Sequence, residues 1–222
     1  MTVLNNIHIR TCIIIAFIFF LLSCGIEDVS RYLNYSPRSN SVASNALNFL
    51  PPQEFEPLFF GIEVCYKIYA SKSDADSDAN NFENRQNSDL IPGSSILSYL
   101  FSPSNLNYQR FILKNTLKIF LITKTEIPST DSLLTFELNN EKELIFKINN
   151  NEIATLYRNL IASPVSFSQK PTTGDNDYKS SNTDTDEEFY IQFYAVSYGF
   201  TNLLQPIYSK AKLLGVFTIS YN

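Results

Sequence analysis

From residue 46 onward the chain is built of short runs in which apolar and polar residues alternate, and one longer, unbroken apolar run precedes them. The unbroken run is CIIIAFIFFLL at residues 12–22, with Arg10 before it and Ser23-Cys24 after it. Residues 25–42, GIEDVSRYLNYSPRSNSV, are polar and rich in Ser and Asn, and read as a flexible tether. Residues 46–50 form a short strand that Pro51 and Pro52 stop, because proline lacks the backbone donor a ladder needs. Residues 59–69, FFGIEVCYKIY, alternate cleanly: Ile62, Val64, Tyr66 and Ile68 share one face, and Glu63, Cys65, Lys67 and Tyr69 the other.

Residues 71–89, SKSDADSDANNFENRQNSD, read as a long polar loop. Pro92-Gly93-Ser94-Ser95 then opens a short helix with Ile96, Leu97, Leu100 and Phe101 on one face. Strand-like runs follow at 110–113, 117–123, 133–138 and 143–148, the last two joined by a turn at 139–142. Residues 152–161, EIATLYRNLI, fit either a helical stripe or an alternating strand, and strand is the preferred reading. A second polar loop covers 169–188. The chain closes on a hairpin. Phe189, Ile191, Phe193 and Ala195 point one way and Tyr190, Gln192, Tyr194 and Val196 the other, and residues 207–219 return with a break near Gly215. There is no internal repeat. The pattern predicts an all-β, mainly antiparallel domain.

The apolar run at 12–22 has 11 residues, where a membrane-crossing helix needs about 20, so it fits the core of an export signal. Leu21-Leu22-Ser23-Cys24 resembles the lipobox of bacterial lipoprotein signal peptides. Leu22 is bulkier than is usual there, as the looser spirochaete-type lipoboxes tolerate. The resemblance implies cleavage between Ser23 and Cys24, thioether lipidation of Cys24, and a chain held on a membrane of the bacterial cell envelope by its acyl groups. It leaves open which membrane, and whether the domain is displayed at the surface. The expected layout is a leader at 1–23, a tether at 24–42 and one domain at 43–222.

Composition narrows the chemistry. Eighteen Phe and thirteen Tyr, with six Gly and no Trp, favour strands. Net charge is −5, and loss of the one positive charge of Arg10 with the leader makes it −6, so there is no basic stripe for nucleic acid. His8 is the sole histidine and lies in the leader, which excludes histidine-based nucleophile systems and histidine zinc sites from the mature chain. With Cys12 removed and Cys24 acylated, Cys65 stands alone, without a disulfide partner, as a small buried hydrophobe. The glycines are too dispersed for a phosphate-binding loop, and no cofactor is implied.

Two stretches resemble a fibronectin type III-like β-sandwich: Phe49-Leu50-Pro51-Pro52 with Gly61–Tyr66, as its B and C strands, and Phe189–Ala195 with Tyr198-Gly199, as its F strand. In this chain Phe49 stands where that fold has Trp, Ile62 where it has Tyr, and Phe189 where it has the corner Tyr. The resemblance implies a large insertion, about 71–188, between the C and F strands. Gly61–Tyr69, Tyr157-Arg158-Asn159, Tyr194–Gly199 and Tyr208-Ser209-Lys210 also resemble a family of spirochaete lipoproteins without a known activity.

In that topology two acidic loops share one end: Asp74, Asp76, Asp78 and Asp89 in one, and Asp175, Asp177, Asp184, Asp186, Glu187 and Glu188 in the other. Asp74-x-Asp76-x-Asp78 opens like a calcium loop. Ala79 and Arg85 replace the Gly and Glu such a loop needs, so a solvated loop is the main reading and no metal is expected. Phe55, Phe200, Leu203 and Leu204 lie in loops at the opposite end, either capping the core or facing a membrane or a neighbouring protein. The outward tyrosines Tyr190, Tyr194 and Tyr198 read as sheet stabilisers under the insertion, or as a contact ladder. The functional expectation is a non-catalytic binding or structural module with an envelope or host partner. The rivals are a surface adhesin for host protein or glycan and a carboxylate-only hydrolase, for which Glu63 and Glu137 are the acids outside the loops.

Overall fold

Strong alternation in the middle and at the end of the chain gives two antiparallel sheets facing each other across an aromatic core. The structure is a computed structural model, and it describes residues 32–33, 36–43, 45–55, 58–180, 188–200 and 204–221. Ser23, Cys24, Leu203, Asp184, Asp186 and Glu187 lie outside the described residues. In chain order the elements are β1 (Arg38–Val42), β2 (Ala46–Leu50), β3 (Phe59–Tyr69), α1 (Lys72–Asn87), α2 (Ile96–Phe101), β4 (Gln109–Arg110), β5 (Ile112–Leu113) and β6 (Ile122–Thr123). Then come β7 (Leu134–Leu138), β8 (Leu144–Ile148), β9 (Asn151–Tyr157), β10 (Tyr178–Lys179), β11 (Glu188–Phe200), β12 (Pro206–Tyr208) and β13 (Lys212–Ser220).

One sheet has the order β1-β2-β7-β8-β9-β5; the other runs β10-β3-β11, with β12 and β13 both pairing β11 and with β4 and β6 on β3. Every named pair is antiparallel except β10 with β3. The mainly antiparallel sandwich of the sequence reading is therefore what forms. Residues 152–157 are strand, as preferred, and 189–196 pairs with the C-terminal strand as the hairpin pattern requires. Between the sheets, rings from both sides interlock: Phe111 stacks 5.6 Å from Phe136 and 5.6 Å from Phe193, and Phe193 meets Phe217 edge-on at 4.9 Å. Such ring pairs add to what their burial alone contributes.

The outer face of the second sheet is buried too. Cys65, Tyr194 and Val196 on it pack with Phe82 of α1 and with Ile96, Leu97 and Leu100 of α2 in a second core. This makes a third layer, and it corrects the reading of 71–89 as a loop: residues 72–87 are a helix. Its buried stripe is Ala75, Ala79, Phe82 and Gln86, spaced by three and four residues, but with one large apolar side chain it is faint in the sequence. Asp74 in the first turn and Arg85 in the last complement the helix dipole, and Lys72 pairs with Asp76 one turn on at 2.7 Å. Phe82 stacks on Tyr99 at 5.6 Å and meets Tyr194 edge-on at 5.3 Å, which pins the helix to the sheet.

The tether reading is also corrected. Residues 38–42 are strand β1, paired with β2 from Arg38↔Leu50 to Val42↔Leu47. Leu33 is buried in the inter-sheet core and its N–H donates to the Tyr208 carbonyl at 2.8 Å. An edge strand with one wet face needs few apolar residues, so RSNSV carries little strand signal. The run at 117–123 is strand only at Ile122–Thr123. Leu117 sits at φ +53° in a turn whose Leu113 N–H donates to the Lys118 carbonyl.

Gly61 is required by close approach. A Cβ there would lie 2.3 Å from the Ile122 carbonyl oxygen and 2.9 Å from the Tyr198 ring, whereas one at Gly174 would meet nothing within 4 Å. Gly61→Ala should cost about 1–3 kcal/mol as an overpacking change, while Gly174→Ala should leave the melting temperature nearly unchanged. Thermal unfolding of the two variants side by side checks this.

Candidate functional site

Three places stand out, two of them internal clusters of polar side chains and the third an apolar end of the sandwich. The first lies under α1, on the outer face of β3. Lys67 Nζ donates to the Leu106 carbonyl at 2.6 Å and lies 3.5 Å from Asp78. Asp78 also accepts from Tyr69 Oη at 3.0 Å and from Lys179 Nζ at 3.0 Å. Burial lowers the pKa of Lys67, and Asp78 offsets part of that effect. Tyr69 and Tyr108 hydroxyls lie 3.2 Å apart, Tyr108 donates to Gln192, and Gln192 Nε2 donates to the Ala75 carbonyl at 3.1 Å. The three aspartates of the calcium candidate are therefore helical. Asp74 and Asp78 share a face, and Asp76 sits about 200° round from Asp74 with Lys72 as its partner. Among the described residues, no three His, Cys, Asp or Glu side chains lie together as metal ligands.

The second place is the end of β9. Arg158 is fully buried. Its Nε donates to Asp177 Oδ2 at 2.9 Å and its Nη2 to Asp177 Oδ1 at 2.7 Å, a two-pronged pair. Nη2 also reaches Asp175 Oδ2 at 2.5 Å, and Nη1 the Gln169 carbonyl at 3.1 Å. Tyr66 Oη donates to Asp177 Oδ2 at 2.8 Å and accepts from the Asn159 N–H at 2.8 Å. The Asp177 carbonyl takes the Ile68 N–H, so the segment read as a loop at 169–188 is clamped to β3. Asp175 and Asp177, expected to repel in solvent or share a cation, share an arginine instead. Sequence reasoning assigned Arg158 no role, and its one signal was the Tyr157-Arg158-Asn159 triplet in the spirochaete resemblance.

The third place is the end where β3 begins and β11 finishes. The register steps from Tyr198↔Gly61 to Gly199↔Phe59, leaving Phe60 as the extra residue of a bulge that turns its ring outward. Phe60 meets Phe200 edge-on at 5.1 Å and is 48% exposed, and Leu204 is 81% exposed. Phe55, by contrast, stacks on Phe59 at 5.2 Å against the inter-sheet core, so it is a cap. What meets here is Phe200, at the end of β11 and not in a loop as expected, and Phe60 of β3, a residue sequence reasoning missed. Of the outward tyrosines, Tyr194 lies buried beneath α1, as the stabiliser reading expects.

Glu63 ion-pairs with Arg110, and burial outweighs that partner to raise its pKa. Glu137 pairs with Lys147 at 2.7 Å on the outer face of the other sheet. These two acids stand on opposite sides of the molecule and form no cleft pair. Burial pushes the Cys65 thiol well up, away from the thiolate that reactivity requires.

Replacing Arg158 by Met leaves Asp177 buried without its cation, and should cost about 3–5 kcal/mol in denaturant unfolding. Burial raises the pKa of Asp175, but hydrogen bonds from Arg158 and Thr172 outweigh it and hold the carboxyl below its ordinary value. Its contribution is therefore present above the unfolded carboxylate pKa of about 3.9 and is lost as the pH falls through the folded one. Asp175→Asn should lower the melting temperature at neutral pH and flatten its fall below about pH 4.

No family model, no curated protein and no solved structure matches the chain.

Proposed function

We propose that the chain is a lipid-anchored bacterial envelope lipoprotein whose β-sandwich serves as a non-catalytic binding or structural module. The observation that carries the reading is the segment from Arg10 to Cys24: eleven apolar residues, a small Ser23 and a cysteine placed for thioether lipidation. Two or three acyl chains, at about 0.8 kcal/mol per buried methylene, anchor such a chain stably. The likeness of several stretches to spirochaete lipoproteins supports the same reading. Among the described residues, the buried charged groups Glu63, Lys67, Arg158 and Asp177 are all engaged by other protein groups, which supports a scaffold more than a reaction centre. The order β3-β11-β13 in one sheet and β1-β2-β7 in the other supports the fibronectin type III-like arrangement, with α1, α2 and β8 to β10 inserted.

The test is metabolic labelling with palmitate followed by detergent phase separation. Wild-type protein should carry label and enter the detergent phase. Cys24→Ala should carry none and stay in the aqueous phase; a labelled Cys24→Ala chain refutes the anchor.

A further inference from the structure

Phe60 and Phe200 meet at one end of the sandwich and, with Leu204 two residues before Pro206, the ladder partner of Phe200, they make an apolar tip that three features fix there. The bulge at Phe60 aims the ring outward. The Phe200 N–H donates to the Leu58 carbonyl at 3.2 Å, holding the two chain ends against each other. Gly199 allows that approach, since a Cβ there would lie 1.9 Å from the Leu58 oxygen. Leu204 has φ +60°, a left-handed conformation that disfavours a bulky residue, yet it holds its side chain in solvent. Tyr198 and Tyr208, paired across β11 and β12 and both half-buried, flank the tip. Tyrosine has an apolar body and a polar end, and it settles at the boundary between lipid and water.

The chain's own route indicates what covers this tip. Leu33 bonds to Tyr208, whose strand pairs with Tyr198–Phe200. Two strand spacings across and two residues along place Leu33 about 12 Å from Phe200. Tyr32 is held as well, its hydroxyl bonded to the Ile91 carbonyl and its ring under Lys210. From Cys24 to Tyr32 is eight residue steps, which span at most about 29 Å whatever their conformation. A tether running free to residue 42 would more than double that reach.

We propose that this tip docks on the bilayer surface, with Phe60, Phe200 and Leu204 entering the headgroup–acyl boundary and the acyl groups of Cys24 inserted beside them. The proposal rests on the lipid-anchor reading and deepens it: lipid is the partner of the exposed end. The domain then stands with β3 and β11 pointing away from the membrane, and the Arg158 end is outermost.

The chain has no tryptophan, so a single introduced one reports alone. Leu204→Trp and, as a control at the far end, Ile161→Trp both replace well-exposed residues, Ile161 being 89% exposed and its N–H bonded to Asn176 beside the Arg158 cluster. The full-length acylated chains are reconstituted on phosphatidylcholine vesicles with plain or brominated acyl chains, then floated and read by fluorescence. Bromine should quench Leu204→Trp at least about twofold while leaving Ile161→Trp nearly unchanged, because docking buries a tip only about 5–10 Å deep. Phe60→Trp should behave as Leu204→Trp does and guards against a local folding defect. Chains that float with palmitate attached but show no quenching overturn the docking, leave the anchor standing and turn the tip over to a protein partner. Equal quenching at both ends also overturns it. Chains that neither carry palmitate nor float overturn the anchor, and the docking with it.

Discussion

Strands β3 and β11 carry large apolar side chains on both faces, and that single fact dictates the layering. Ile62, Val64, Tyr66 and Ile68, with Phe189, Ile191 and Phe193, must be covered from one side; Cys65, Tyr69, Tyr194 and Val196 from the other. One sheet can satisfy only one of these faces. The chain meets the second need with α1 and α2, drawn from the long segment between the two strands. A sandwich of two wet-backed sheets would leave Tyr194 and Cys65 in solvent.

Covering a polar-edged face brings its own requirement, since Glu63, Lys67 and Gln192 are buried with the apolar residues. Each finds a partner from the covering layer or from the strand beside it: Lys67 from Leu106 and Asp78, Gln192 from Ala75 and Tyr108, Glu63 from Arg110. At the other end of β3, Arg158 does the same for Asp177 and Tyr66. These bonds select one docking of the insertion over sliding alternatives, because a shifted helix would leave buried charge unpaired. Among the described residues, Tyr194 Oη and Ser197 Oγ lack such partners.

Period-two alternation made the strands legible. Residues 59–69 and 46–50 form as read because each alternates large apolar and polar side chains over several residues. α1 was hidden because its buried stripe rests on two alanines and one Phe among aspartates and asparagines, a composition shared with solvated loops. β1 was hidden because backbone pairing, more than side-chain burial, holds it. The apolar tip was half legible: Phe200 and Leu204 stood out, whereas Phe60 emerges only once a bulge breaks the alternation at that position. Arg158 could not be ranked among other arginines without knowing that residues 175–177 fold back on β3.

The pairing of β3 with β11 joins Gly61 to Tyr198 and Tyr69 to Tyr190, positions separated by 137 and 121 residues. A chain emerging amino end first therefore lacks the main neighbour of β3 until β11 has been made, and only the two-residue pairings with β4, β6 and β10 come earlier. Local hairpins such as β7 with β8 can close early, but the central ladder must wait. Loss of even the last few dozen residues would strip β3 of its main neighbour and leave a sticky, unpaired edge. The architecture therefore suits delivery in extended form, with the central ladder completed only after β11 has emerged.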